Sequence, residues 1–461
     1  MTLPETLAAA LAARQDGTVT ARALTEACLD RIAAGDGRLN AFVRLDAEEA
    51  RAAADRADRA SGPLAGIPLA HKDMFFRKGR VSTCGSRGFA ARRADETAGV
   101  LTRLDAAGAV DLGTLHMAEL AHNSTGHNAF LGAAHNPWNA DHMPGGSSSG
   151  PAVAVGAGFA FAALGSDTGG SIRMPAHFCG VTGLKPTQGL VTRAGAMALS
   201  FSLDTIGPLA RSAEDVAIVL EHIVGADPAD PTAEPAGPVR YRAATGDPVA
   251  GRVIGIPDAF YFEDLSPDIA RAFEAARATF EGLGVRVVDI SLPDQEALSA
   301  AQLVLVASEA CSQHRDRLID RPEDFEPQIR NRLLNGFGYA ALDYLEAVRG
   351  RGPALAAHLA ACEGIDAILT PVAPFDAPTL AETDVGGGAG AEALIRSISR
   401  FMRPANYLGT PALAFPAGFS GRGLPVGLQL VGRPFGEADL FALVGAFQRA
   451  TDHHRQRPPH G

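Results

Sequence analysis

An α/β fold around a largely buried sheet is what this sequence predicts, and three observations carry it. Short apolar segments alternate with Ala-rich segments of helical character along the 461 residues. Val253-Ile-Gly-Ile-Pro257, a helix over 266–282 and Val285-Arg-Val-Val-Asp-Ile290 repeat a β-α-β rhythm. Asp366-Ala-Ile-Leu-Thr-Pro371 is nearly continuous in its apolar residues, as strands covered on both faces are.

The elements follow in order. Residues 19–34 read as a helix with Thr20 as N-cap and Gly35 as its stop. Asn40 to Leu45 forms a short strand, and Asp46 to Ala60 a second helix ended by Gly62-Pro63. A strand-like piece then delivers Lys72. Thr97 to Ala107 is helical and Gly108 to Gly113 extended. From His122 to Gly150 the chain is rich in Asn, Gly, Ser and Pro, a long irregular loop of the kind that usually carries function. Pro151 to Phe161 is a helix of small residues, and Ala163-Leu-Gly165 leads into a serine motif. Residues 226–250, with five prolines, are the best candidate for a linker or a surface excursion, and Gly386-Gly-Gly-Ala-Gly390 for a flexible loop.

Composition narrows the class. Hydrophobic residues make up 46% and charged residues 20%, which describes a soluble globular protein. A net charge of −11, with no run of like charges, argues against nucleic acid as a partner. The five cysteines are widely spaced and form no CxxC, which favours free thiols and a cytoplasmic setting. The start lacks the basic region of a signal peptide. The longest apolar run, Pro151 to Gly165, is too short and too rich in Gly and Ala to cross a membrane.

The chemistry is carried by rare residues. Only three lysines, Lys72, Lys78 and Lys185, stand among 41 Lys and Arg residues. A lysine kept on such a background can do what arginine cannot: lose its proton when buried and act as a base. Downstream lie Gly145-Gly-Ser147-Ser-Ser-Gly150 and Gly165-Ser-Asp-Thr-Gly-Gly-Ser171-Ile-Arg173, with Ser147 and Ser171 set 24 residues apart. A base, two serines and glycine-flanked amides are the parts acyl transfer at a serine requires. Asp167 and Arg173 flank the second serine and pair to stiffen its loop. Gly146-Ser-Ser148-Ser-Gly150 also fits a G-x-S-x-G elbow centred on Ser148, but the segment before it is no strand, so the elbow is rejected. His116 and His122, six apart with Glu119 between them, form no metal-ligand pattern. Lys185 before Pro186 is structural, and His453 and His454 lie in an exposed tail.

These motifs resemble the amidase signature family. The resemblance runs from Leu64-Ala-Gly-Ile-Pro-Leu-Ala-His-Lys72-Asp through both serine motifs to Phe178-Cys-Gly-Val-Thr-Gly-Leu-Lys-Pro-Thr187 and Leu203-Asp-Thr-Ile-Gly-Pro208. It resumes at Pro404-Ala-Asn-Tyr-Leu-Gly-Thr-Pro411 and Gly423-Leu-Pro-Val-Gly-Leu-Gln429. It implies one amidase-signature domain over residues 1–461, a mixed central sheet sandwiched between helical layers. The signature core spans about 64–211 and a more variable helical region about 226–400.

The resemblance also assigns roles. Ser171 falls on the nucleophile, Lys72 on the base and Ser147 on the relay serine that follows a cis peptide bond. The amides of Thr168, Gly169, Gly170 and Ser171 fall on the oxyanion hole. The irregular stretch around Ala121, His122 and Asn123, together with the variable region 295–400, is expected to line the acyl pocket. No metal or organic cofactor is implied. Where the family more often has Gly-Gly-Ser-Ala after the first serines, this chain has Ser149-Gly-Pro151-Ala, which leaves the three reacting positions untouched.

In the A subunits of tRNA-dependent amidotransferases, a Tyr-x-x-Asp-x-Phe-Thr-like stretch precedes Pro-Ala-Asn. Here that stretch reads Ile395-Arg-Ser-Ile-Ser-Arg-Phe-Met-Arg403. The expectation is therefore a free-standing amidase that cleaves a small-molecule linear amide, works apart from nucleic acid and membranes, and is compatible with a homodimer. A glutaminase-type A subunit of a tRNA-dependent amidotransferase is the alternative.

Overall fold

The computed structural model describes residues 4–59, 62–235, 237, 240–384, 393–394 and 397–459. Within them eleven strands join one sheet. They are β1 (Phe42–Leu45), β2 (Pro68–Lys72), β3 (Val110–Leu115), β4 (Ala162–Asp167), β5 (Thr182–Lys185) and β6 (Thr205–Ala210). The later ones are β7 (Val253–Pro257), β8 (Arg286–Ile290), β9 (Ala367–Pro371), β10 (Ala412–Phe419) and β11 (Pro425–Gly432). Their spatial order is β1-β3-β2-β4-β6-β5-β10-β11-β9-β7-β8. Parallel pairing joins β2 to β3 and β4, and β7 to β8 and β9, and the other neighbours run antiparallel. The sheet is thus mixed and lies between helical layers, as the resemblance implies.

Apolar strands appear where continuous apolar runs predict them. β7, β9 and β4 are buried at every position. The run from Pro151 divides into a helix over Ser149–Gly156, buried at every residue, and β4. That helix stops five residues earlier than its composition suggests. Gly158 turns the chain at φ 72°, and the amides of Phe159 and Ala160 fold back onto the Ala154 carbonyl.

The helix capped by Thr20 does not end at Gly35. It runs over Ala21–Leu39 and closes on Asn40, whose φ is 52°. A Cβ at Gly35 would stand 2.9 Å from the Phe159 ring, so this glycine serves close packing inside the helix. His454 is buried and His453 half-buried, because the C-terminal end packs back onto the body; the exposed tail expected there is not found.

Two long helices, Gln295–Asp320 and Ala341–Ala361, fill the part of the variable helical region in which the sequence marks no individual helix. The glycine loop at 386–390 lies outside the described residues. Among those described, no helix is long and apolar enough to cross a membrane.

Candidate functional site

Lys72 is the last residue of β2 and is fully buried. Its Nζ donates to Ser147 Oγ at 2.8 Å and to Ser166 Oγ at 2.9 Å. Burial, the largest influence, draws the ammonium down to about 7, against an upward pull from Asp204 and Asp167. Ser147 follows the one cis peptide bond among the described residues, Gly146–Ser147, and stands just before the helix that starts at Ser149. The Ser148 amide donates to the Ser171 carbonyl at 3.2 Å, which ties the two serine motifs together. The Ser148 hydroxyl is buried and donates to the Ser166 carbonyl at 3.2 Å, so the rejected elbow serine braces β4 instead. The site thus stands where the parallel strands β2 and β4 end side by side.

Beyond β4 the chain turns through Thr168-Gly-Gly-Ser171. Asp167 and Arg173 are both wholly buried and joined by Nε to Oδ2 at 3.0 Å and Nη2 to Oδ1 at 3.1 Å. Burial alone would lift the Asp167 carboxyl; the adjacent guanidinium outweighs it and holds the group well below the usual carboxylate range. Arg173 also donates to Gln429 at 2.9 Å and to Asn406 at 2.7 Å, and Asn406 donates back to Asp167 at 2.8 Å.

The Gly170 amide donates to Asp167 Oδ1 at 2.8 Å. It is therefore committed inside the loop, which removes Gly170 from the four amides offered as oxyanion donors. The glycine is still required. Its φ is +119°, and a Cβ would lie 2.5 Å from Met402 Sδ. Behind the loop, Thr168 Oγ1 donates to Asp204 at 2.5 Å, and burial pushes that carboxyl up to about 6.

A cavity of about 170 Å³ opens at Ser171. Ala121, His122 and Asn123 line it together with Thr168 and Gly169, so the candidate acyl-pocket residues do meet the serine loop. Leu120 and Ala121 hold φ of 49° and 59°, conformations costly for side-chain-bearing residues. Burial, then the charge of Arg332, pushes His122 down to about 3, so it is neutral here. Asn123 is engaged with Gln328, to which its Nδ2 donates at 2.9 Å.

For the opposite wall the sequence points to the region 295–400 without singling out a residue. Gln302, Arg332 and Arg403 come from three separate helical segments. Ser166 was missed as well. It sits inside the second serine motif, but only the fold shows it on Lys72. His116 Nε2 donates to the Gly132 carbonyl at 2.8 Å, and burial pushes the ring down to about 4. Among the described residues no three His, Cys, Asp or Glu side chains are placed to hold a metal ion.

The family model for Amidase matches residues 23–441. The A subunit of the glutamyl-tRNA(Gln) amidotransferase from Geobacter metallireducens is 41% identical over 464 aligned residues, covering 94% of each chain. The solved A subunit from Thermotoga maritima is 32% identical, with a TM-score of 0.80 over 93% of this chain and 91% of that one. A chain from a vestigial protein complex bearing on the origins of an s-triazine catabolic enzyme is 33% identical, with a TM-score of 0.89 over 96% and 98%.

These likenesses correct one expectation. Curated relatives about 40% identical and matched along nearly their whole length are amidotransferase subunits. That overturns the free-standing amidase acting alone or as a homodimer and apart from nucleic acid, and it favours the alternative, an A subunit. The altered stretch before Pro404 is too local to outweigh similarity that spans the chain. This enzyme chain belongs to the amidase signature family.

Proposed function

We propose that the chain is a glutaminase-type A subunit of a glutamyl-tRNA(Gln) amidotransferase, releasing ammonia from the linear side-chain amide of glutamine. The observation that carries the reading is the 41% identity to such a subunit over 94% of both chains. Ser171 attacks the carboxamide carbon while its proton passes through Ser147 to Lys72. Breaking the C–N bond returns that proton to the leaving nitrogen, which departs as ammonia. Water then cleaves the acyl ester by the reverse path and leaves a carboxylate.

The amides of Thr168, Gly169 and Ser171 are left to meet the charge that develops on oxygen, each such donor being worth roughly 3 kcal/mol in the transition state. Arg332 and Arg403 on the cavity wall suit a substrate that carries a carboxylate at its other end. Five buried free thiols fit a cytoplasmic setting.

The test compares the purified chain with the chain co-expressed with the remaining amidotransferase subunits. Ammonia release from glutamine and amidation of glutamyl-tRNA are both followed. The reading requires glutamine cleavage that the other subunits and tRNA stimulate. Full activity on simple amides, indifferent to subunits and tRNA, would overturn it.

A further inference from the structure

Most of the exposed large apolar side chains among the described residues gather in one short stretch. Leu334, Phe337, Tyr339, Leu342, Leu345 and Val348 are all exposed, Leu342 at 71%. Leu342, Leu345 and Val348 recur every third residue of the helix Ala341–Ala361. This sets them on a face turned away from Ala347 and His358, its buried positions. The buried face is well anchored. Tyr344 donates to Glu309 at 3.1 Å, and Tyr407 donates to the Ala347 carbonyl at 2.7 Å. Nothing described in the chain covers the outer face.

The patch is continuous with the cavity, because Tyr339 belongs to both. The six side chains expose on the order of 600 Å². That is the upper end of what a lone chain carries, and most of the roughly 800 Å² that one side of a standard interface contributes.

Charge separates the occupants. Between residues 334 and 350 stand Asp343, Glu346 and Arg349, one net negative charge. A helix lying on an anionic membrane carries Lys and Arg on its polar face instead. A protein surface that is apolar at its centre and basic at its rim complements this face.

We propose that the 334–348 face is the docking site of a partner subunit, which seats an apolar surface with a basic rim beside the mouth of the Ser171 cavity. The inference rests on the reading of the chain as an amidotransferase component. It adds where the partner sits: beside the mouth of the Ser171 cavity.

The experiment uses the full chain and a Leu342→Glu/Leu345→Glu variant, each mixed with the remaining amidotransferase subunits. Neither leucine lines the cavity. The variant should keep its thermal midpoint and its fluorophosphonate labelling at Ser171, while its affinity for the partner subunits falls at least tenfold and tRNA amidation falls with it. Partner binding within twofold of wild type would overturn the proposal and leave the proposed function standing. Wild-type chain that recruits none of the other subunits would overturn both. A wild-type dimer split by the variant, or binding of the wild-type face to phosphatidylcholine vesicles, would reassign the face and sink the proposal.

Discussion

At the scale of single residues, the proposed chemistry hangs on a lysine that gives up its charge. With Nζ between two hydroxyls and burial drawing its pKa to about 7, Lys72 is half neutral near physiological pH. The neutral form is the base, so activity should be present above about 7 and fall as pH drops through that value. A pH–rate profile flat well into the acid range would rule a lysine base out. Arginine cannot become neutral, so Lys72→Arg should lose about 10³-fold in kcat, as Lys72→Ala does. Ser166 acts through Lys72 as a positioning residue. Ser166→Ala removes one hydrogen bond and should lower kcat about tenfold with KM nearly unchanged, the rate equivalent of ~1.4 kcal/mol. Its pH midpoint should move too, which a merely structural serine would not cause. A labelled fluorophosphonate should attach to Ser171 and leave the buried Ser148 untouched.

At the scale of elements, the loop between β4 and the helix Arg173–Cys179 is held from behind. Asp167 takes the Gly170 amide, and Arg173 reaches Gln429 on β11 and Asn406 on the helix Arg403–Leu408. Replacing Arg173 by Leu would leave the Asp167 charge buried without its partner, a loss of about 3–5 kcal/mol. A Leu pair at 167 and 173 should recover part of it. Because that carboxyl is held below the ordinary range, its contribution is complete at neutral pH and is lost only as pH falls into the strongly acid region. Thermal melts of the two variants against pH check both statements. Gly170→Ala would push into Met402 and should abolish turnover even where the protein still folds.

At the scale of the whole molecule, the residues proposed to react lie between 72 and 171, yet the sheet that holds them closes through the C-terminal strands. β5 pairs with β10, and β11 supplies Gln429. A chain ending at residue 240 should therefore be insoluble or molten, although it contains Lys72, Ser147 and Ser171. Circular dichroism and Ser171 labelling of that fragment decide the point.

The same division explains what the sequence disclosed. Continuous apolar strands such as β7 and β9 announce themselves, and glycine-flanked serines beside a solitary lysine announce the chemistry. The β10–β11 hairpin hides because Pro416 interrupts it, at a register shift. Gln302, Arg332 and Arg403 hide because no local pattern marks them. Each faces the cavity only through the packing of distant helices.

That arrangement has a consequence for how such an enzyme changes over generations. The groups proposed to react and three groups of the opposite wall, Gln302, Arg332 and Arg403, belong to separate stretches of chain, and they meet across the opening at Ser171. A lineage can revise the wall around 302, 332 and 403 and acquire a new amide while inheriting its chemistry intact. A laboratory library confined to those three positions should behave likewise, shifting substrate preference among variants that all still react at Ser171.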